Sequence, residues 1–260
     1  MKEILYNILV FFTSPEWVEK ISTNFYNNFI YQNRWTWLLQ GLWVTLKLTF
    51  FSFIFGLILG SLIAIIRATH DSRQKLPRYS FTQKIGNIIL SVLNTVCKVY
   101  LIIIQGTPTI VQIMIIYFCI FANSRNKVAI AILGFTINSS AYIAEIIRGG
   151  LNGVPKGQME AGRSLGFGFV STMWYVILPQ AIKIALPMLC NELITLLKET
   201  SVASMVALED LLSKALIIRN STYDAYMPLL AAAALYLIVV TVLRTVLDKL
   251  ERRLTSNDKR

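Results

Sequence analysis

Residues able to do chemistry are sparse in this chain, and the most informative group is defined by shape more than by reactivity. Glu160, Ala161 and Gly162 are followed at fixed intervals by Gly166, Leu178 and Pro179 in a polar, glycine-rich stretch between two apolar ones. The types and spacing predict a short helix that opens near Val154-Pro155, carries Glu160 and Ala161, and ends at Gly166, whose missing side chain suits a C-terminal cap. Such a helix is a projecting knob. Ala161 and Gly162 would let another protein's groove close over its backbone, and Pro179 would stop the following apolar segment from continuing upstream as regular helix.

Glu192 is the second candidate, because an ionisable group inside an apolar helix is costly and usually faces a bundle interior or a water-filled cavity. Asn191 precedes it, Thr195 lies one turn further on, and Asn138 sits in another apolar stretch. Two roles are open to this set: lining a pathway that meets an ammonium group or polar side chain, or hydrogen bonding between helices. Glu145 and Arg148 are spaced i,i+3, as an ion pair on one helix face would be. Hydrolytic or metal chemistry has little support. The sole histidine, His70, falls in a basic stretch read as a loop, and Cys97, Cys119 and Cys190 lie in apolar sequence without pairing or ligand spacing, which assigns them to packing.

The elements that position these residues follow from composition. Of 260 residues 55% are hydrophobic and 15% charged, and the mean hydropathy is +0.58, so a bilayer is the natural solvent. The net charge of +11 sits beside apolar segments and not along one polar face, which indicates topology signals and contacts with the lipid bilayer, not a nucleic-acid partner.

Spans of about 20 apolar residues are predicted at 38–66, 107–121, 128–147, within 175–197 and within 227–247. Residues 85–104 form an amphipathic lead-in to the second span or, alternatively, a sixth span, since the run enters Gly106-Thr107-Pro108, where a helix bends or restarts. Gly56 and Gly60 have the small-residue spacing that permits close helix approach, though glycines are also simply common in membrane helices. Basic residues Arg67, Arg73, Lys75, Arg78 and Lys84, the 150–179 loop, and Arg244, Lys249, Arg252, Arg253, Lys259 and Arg260 belong on the cytoplasmic side. The expectation is an all-α integral membrane protein of about five transmembrane helices, N-terminus out and C-terminus in. Residues 1–37 form an extracytoplasmic or interfacial segment, with an interfacial helix at Ile4 to Phe12 in place of a cleaved leader; 38–253 form the one transmembrane domain and 254–260 a cytoplasmic tail.

The Glu160 group resembles the EAA loop of type I ABC importer permeases, with the pattern Glu-Ala-Ala, three residues, Gly, nine residues, Ile, one residue, Leu-Pro. Glu160, Ala161, Gly166, Leu178 and Pro179 match in place; Gly162 stands at the second Ala and Val176 at the Ile. Such a match arises by chance less than about once in a thousand chains. The resemblance covers about 38–253 and fits the polar amino acid uptake subfamily (histidine, glutamine and arginine-type permeases) through Gly106-Thr107-Pro108-Thr109-Ile110-Val111-Gln112, Asn138-Ser139-Ser140-Ala141-Tyr142, Glu145, Arg148-Gly149-Gly150, Val154-Pro155-Lys156-Gly157-Gln158, Asn191-Glu192 and Lys198-Glu199-Thr200-Ser201. Gln105 stands where the subfamily usually has Arg.

That resemblance implies the type I ABC importer permease fold and a second permease copy, identical or related. It also implies a cytoplasmic ABC ATPase dimer docked on the EAA helix, an extracytoplasmic amino-acid-binding protein, and residence in the cytoplasmic membrane of a prokaryote. The sequence lacks a Gly-x-x-x-x-Gly-Lys-Ser/Thr phosphate loop, so this chain is expected to be a translocation subunit, not an enzyme, with no cofactor of its own; ATP and Mg would be bound by the partner. A secondary transporter would carry internal repeats, and none is evident. An intramembrane enzyme would need a clustered catalytic constellation.

Overall fold

The computed structural model describes residues 15–73 and 81–255. The expected interfacial helix at Ile4 to Phe12 and the loop and tail charges Lys75, Arg78, Lys259 and Arg260 lie outside the described residues. In chain order the helices are α1 (Pro15–Phe25), α2 (Arg34–Arg73), α3 (Phe81–Gln105), α4 (Thr109–Met114, extended by a wider π turn through Ile120), α5 (Lys127–Gly153) and α6 (Lys156–Ser164). Then come α7 (Phe169–Thr172, followed by a π segment Met173–Ile177), α8 (Leu178–Glu199), α9 (Leu211–Thr222) and α10 (Tyr226–Thr255). No strand occurs among the described residues.

Five helical stretches are long and apolar enough to cross a membrane: Glu19–Ser72, Ile85–Gln105, Lys127–Gly153, Phe169–Val206 and Tyr226–Leu254. The second differs from the sequence expectation. Residues 85–105 form the spanning-length helix, and 109–120 are the short appendage. Pro108 explains the break, since its ring removes a backbone donor and the chain restarts from its extended conformation (φ −63°, ψ 136°). Arg67, His70 and Asp71 are likewise helical, on the last turns of α2, and not in a loop.

The chain divides into two compact units, each discontinuous in sequence. One comprises residues up to Lys47 and Leu197–Thr241. Its core joins Leu38 of α2 to Leu211, Ala215 and Ile218 of α9 and Ala232 of α10. Gly41 lets α9 begin against α2, because a Cβ there would lie 2.6 Å from the Asp210 carbonyl oxygen. Thr45 Oγ1 accepts from the Leu211 amide at 3.2 Å. Asp210 is fully buried and caps α9, its carboxylate accepting from the amides of Ser213 (3.0 Å) and Leu212 (3.3 Å). Burial pushes the Asp210 carboxyl up to about 6, against the opposing effect of those amide bonds. Buried Asn28 donates to Asp224 at 2.7 Å and accepts from Thr222 at 2.8 Å, tying the segment after α1 to the end of α9.

The other unit comprises Leu48–Leu196 and the chain from Val242. Here α2 and α5 touch through the glycines. A Cβ on Gly60 would meet Ile143 Cγ2 at 2.8 Å and the Ser140 carbonyl oxygen at 2.9 Å, and one on Gly56 would meet Ile143 Cδ1 at 3.2 Å. Of the two readings open to these glycines, close helix approach is the one realised. Cys97 is buried in the core of Ile63, Leu101, Ile104, Ala141 and Ala144, whereas Cys119 is exposed, so packing accounts for the first and not the second. His70 is buried, within 3.2 Å of Asn94 and 3.4 Å of Ser91 on α3.

Candidate coupling surface and polar seam

The chain leaves α5 at Gly153 and turns through Val154 and Pro155. Pro155 holds the extended backbone (φ −56°, ψ 135°) that starts α6, and the Gln158 amide donates to its carbonyl at 3.0 Å. At the far end the Phe167 amide donates to Gly162 O (3.1 Å) and the Gly166 amide to Arg163 O (3.0 Å). These are the paired bonds of a Schellman motif, with Gly166 in the left-handed conformation it requires (φ +90°). The expected cap is therefore present.

The base of α6 is anchored by Met159, which together with Leu151, Met173 and Val176 packs against the buried cluster of Val154, Ile177 and Ala181. Val176, at the position of the motif's Ile, contributes to this cluster, and Leu178 is half-buried. Glu160, Ala161 and Pro179 are exposed, and Leu165 is 80% exposed, so the outer face of α6 offers a carboxylate, a small residue and an unpartnered apolar side chain together.

One expectation changes. Gly162 is not on the open face: it is buried, and a Cβ there would lie 2.5 Å from Thr172 Cγ2. Its smallness lets α6 close onto α7 within this chain, while Ala161 alone remains outside. Upstream of Pro179 the chain is not regular α-helix, as expected, although the helical run itself continues. The Leu178 amide donates to Met173 O, giving the wider π turn just upstream, and that geometry carries the chain past a residue without an amide hydrogen.

The polar residues of the spans separate into two groups. Glu192 Oε1 accepts from Ser139 at 3.1 Å. Asn138, adjacent in sequence but on another face of α5, donates to Gln112 Oε1 at 2.9 Å and Thr109 Oγ1 at 3.3 Å. Gln112 in turn donates to Ile104 O (2.7 Å) and to Thr107, closing the break between α3 and α4. Asn191 and Thr195 are exposed. Glu192 and Asn138 thus do not share a hydrogen bond as a single cluster would.

At the α6-proximal end of α5, Glu145 pairs with Arg148 (3.0 Å) as its spacing predicts, and also with Arg67 of α2, while Arg148 approaches Asp71 at 3.8 Å. Sequence reading missed the α2 half of this network by placing Arg67 and Asp71 in a loop. Their i,i+4 spacing was the available signal. Ser139 and Gln112 enter the sequence only as parts of the family-motif stretches and are not singled out there, because an uncharged polar residue in an apolar run carries no periodic signal of its own. No grouping of His, Cys, Asp or Glu among the described residues is suited to a metal ion.

The family described as binding-protein-dependent transport system inner membrane component matches residues 85–256. The chain is 34% identical over 223 residues to a putative glutamine transport system permease protein of Rickettsia typhi, covering 85% of this chain and 94% of that one. It is 33% identical over 224 residues to the arginine transport system permease protein ArtQ of Bacillus subtilis, covering 85% and 94%. To the L-cystine transport system permease protein TcyB of the same organism it is 35% identical over 228 residues, covering 86% and 89%. Among solved structures, an amino acid ABC transporter crystallised with histidines superposes with TM-score 0.72 at 36% identity, over 86% of this chain and 98% of that chain. The MetNI methionine transporter shares the fold, with TM-score 0.66 at 23% identity, over 84% and 96%.

Proposed function

The chain belongs to the family of binding-protein-dependent transport system inner membrane components, a multi-pass membrane transport component, and from that premise we propose that it moves polar amino acids inward through the cytoplasmic membrane. The energy comes from a separate ABC ATPase dimer, which binds ATP and Mg and docks on α6. A second permease copy, identical or related, completes the pathway, and an extracytoplasmic binding protein delivers the substrate. The amino acid class is supported by the glutamine, arginine and cystine permeases to which the chain is similar.

The observation that carries the coupling role is the build of α6. A nine-residue helix has a buried base, a glycine-capped end, and an outer face of Glu160, Ala161 and Leu165. A knob so fixed transmits a push from a docked partner to Val154 and Leu178-Pro179, and so to the end of α5 and the start of α8. Gly162 contributes by seating the knob on α7. Closure of the ATPases on ATP then reorients the spans in an alternating-access cycle. Glu192, with Ser139 beside it, is the group we place on the substrate path, meeting an ammonium or a polar side chain, with Asn191 and Thr195 flanking it on α8; Asn138 instead joins α5 to α4 through Gln112 and Thr109. By the positive-inside rule the α6 loop is cytoplasmic and the N-terminus outside.

The test is ATP-dependent uptake of labelled polar amino acids into proteoliposomes containing this chain, its ATPase and the binding protein, with Ala161→Asp as the uncoupled variant. Uptake by the native chain and its loss in the variant, with ATP hydrolysis and insertion retained, are expected. Normal substrate-driven uptake by Ala161→Asp would overturn the coupling role. A complex that hydrolyses ATP but moves no amino acid would overturn the substrate class.

A further inference from the structure

Away from the coupling surface, the unit containing α1 encloses a crevice of about 1150 Å³. Its walls come from α1 (Ile21, Phe25), the start of α2 (Leu38, Leu39) and the start of α10 (Met227, Leu230), and its lining is overwhelmingly apolar. Three exposed amphipathic aromatics, Trp17, Trp35 and Tyr226, also line it. Tryptophan and tyrosine prefer the headgroup level of a bilayer, where one side of the ring is apolar and the other wet. Lys20 is the one cation among the described lining residues and is exposed, and the one acid, Asp224, is already engaged by Asn28 (2.7 Å) and the Tyr226 amide (3.0 Å).

We infer that this crevice is a phospholipid site, holding acyl chain between α1, α2 and α10 with the lipid phosphate at Lys20. The occupant is specified by chemistry at both ends. Apolar walls that open at the first turns of two spanning-length helices match hydrocarbon, and an exposed ammonium among interfacial aromatics matches a phosphate at headgroup depth. A polar amino acid would find a carboxylate partner at Lys20, but Asp224 already accepts from Asn28 and the Tyr226 amide and the remaining walls are apolar, so the site is distinct from a transport pathway. An extended protein segment would need donors and acceptors along its length, whereas the lining offers Lys20, Asn24, Asp224 and the ring N–H and O–H groups of Trp17, Trp35 and Tyr226 at its mouth, and apolar side chains elsewhere. The site would seat α1 against the spans through a lipid. The inference needs only the membrane placement of α2 and α10, not the transport reading.

The experiment uses the full chain in its assembled complex, reconstituted with a phospholipid carrying a photoactivatable group near the end of one acyl chain, with cross-links mapped by peptide mass spectrometry. Native mass spectrometry after detergent exchange counts the retained lipid. Labelling concentrated on Ile21, Phe25 and Leu230, with one phospholipid retained per chain, is expected. Ala234→Trp, at an exposed lining position, should abolish both by filling the crevice. Lys20→Glu should weaken retention roughly tenfold through loss and reversal of one headgroup charge. Unchanged uptake in these variants would leave the transport reading intact and separate from this one. Equal labelling of the crevice and of the exposed face of α3, retention unaltered in both variants, or a crevice shielded from label by a partner protein, would each overturn the inference.

Discussion

At the scale of single residues, Gly162 and Gly166 do different work although they sit four residues apart. Gly166 is required by its backbone, since φ of +90° is open to glycine and strained for side chains. Gly162 is required by its neighbour, Thr172, whose methyl group occupies the space a Cβ would need. Gly162→Ala is expected to destabilise the α6–α7 contact by roughly 1–3 kcal/mol, the usual range for an overpacked site. Thr172→Ser removes the clashing methyl and should recover most of that loss. Thermal unfolding of the two single variants and the double variant forms a cycle, and strict additivity would show that the glycine is not there for Thr172. Tyr223 is a contrasting case: it ends α9 in the left-handed region (φ 54°) and is almost fully exposed. Tyr223→Gly should therefore stabilise the chain by about 1 kcal/mol, visible as a raised midpoint in the same assay.

At the scale of elements, α2 meets α5 with two glycines of unequal tolerance. A Cβ on Gly60 meets backbone and a branched β-carbon region, whereas one on Gly56 meets first the flexible end of Ile143. Gly56→Ala should insert and assemble nearly as the native chain does, while Gly60→Ala should reduce the folded yield in detergent. Equal behaviour of the two would contradict a close α2–α5 contact at Gly60.

The α9 cap gives a pH prediction. Asp210 has a folded value of about 6, above its ordinary 3.8, so folding favours the protonated form. Its contribution to stability is complete below about pH 4, falls as pH rises through 6, and is flat above that, at a slope on the order of 1 kcal/mol per pH unit in between. Asp210→Asn keeps a capping oxygen and removes the titration. The difference between native and variant unfolding midpoints should therefore change between pH 4 and 6 and be constant from 7 to 8.

At the scale of the whole molecule, five spanning-length stretches are joined by segments that must alternate between the two sides of the bilayer. With Cys97, Cys119 and Cys190 replaced by Ser, a cysteine at Ser124, in the turn before α5, should react with an impermeant thiol reagent added outside intact cells. One at Gly157, exposed on α6 with open space around its Cβ position, should react only after the cytoplasmic side is opened. Labelling of both from one side would overturn the assigned orientation.

Much of this architecture is written in one dimension. Apolar runs, basic flanks and the spacing from Glu160 to Pro179 depend on residue type and separation alone, so the membrane class, the family and the cap at Gly166 are legible without coordinates. The count of five spanning-length stretches is also legible, but which of two neighbouring apolar runs spans is not. Residues 85–105 and 109–120 have similar composition, and their roles diverge because Pro108 interrupts a hydrogen-bond ladder and Gln112 closes the break. The partners of Gly162, Glu192, Asn138 and Arg67 were decided only by tertiary structure. Each depends on a residue at least ten positions away in sequence, on a second element whose rotation and approach are set by packing, and no local periodicity records that distance.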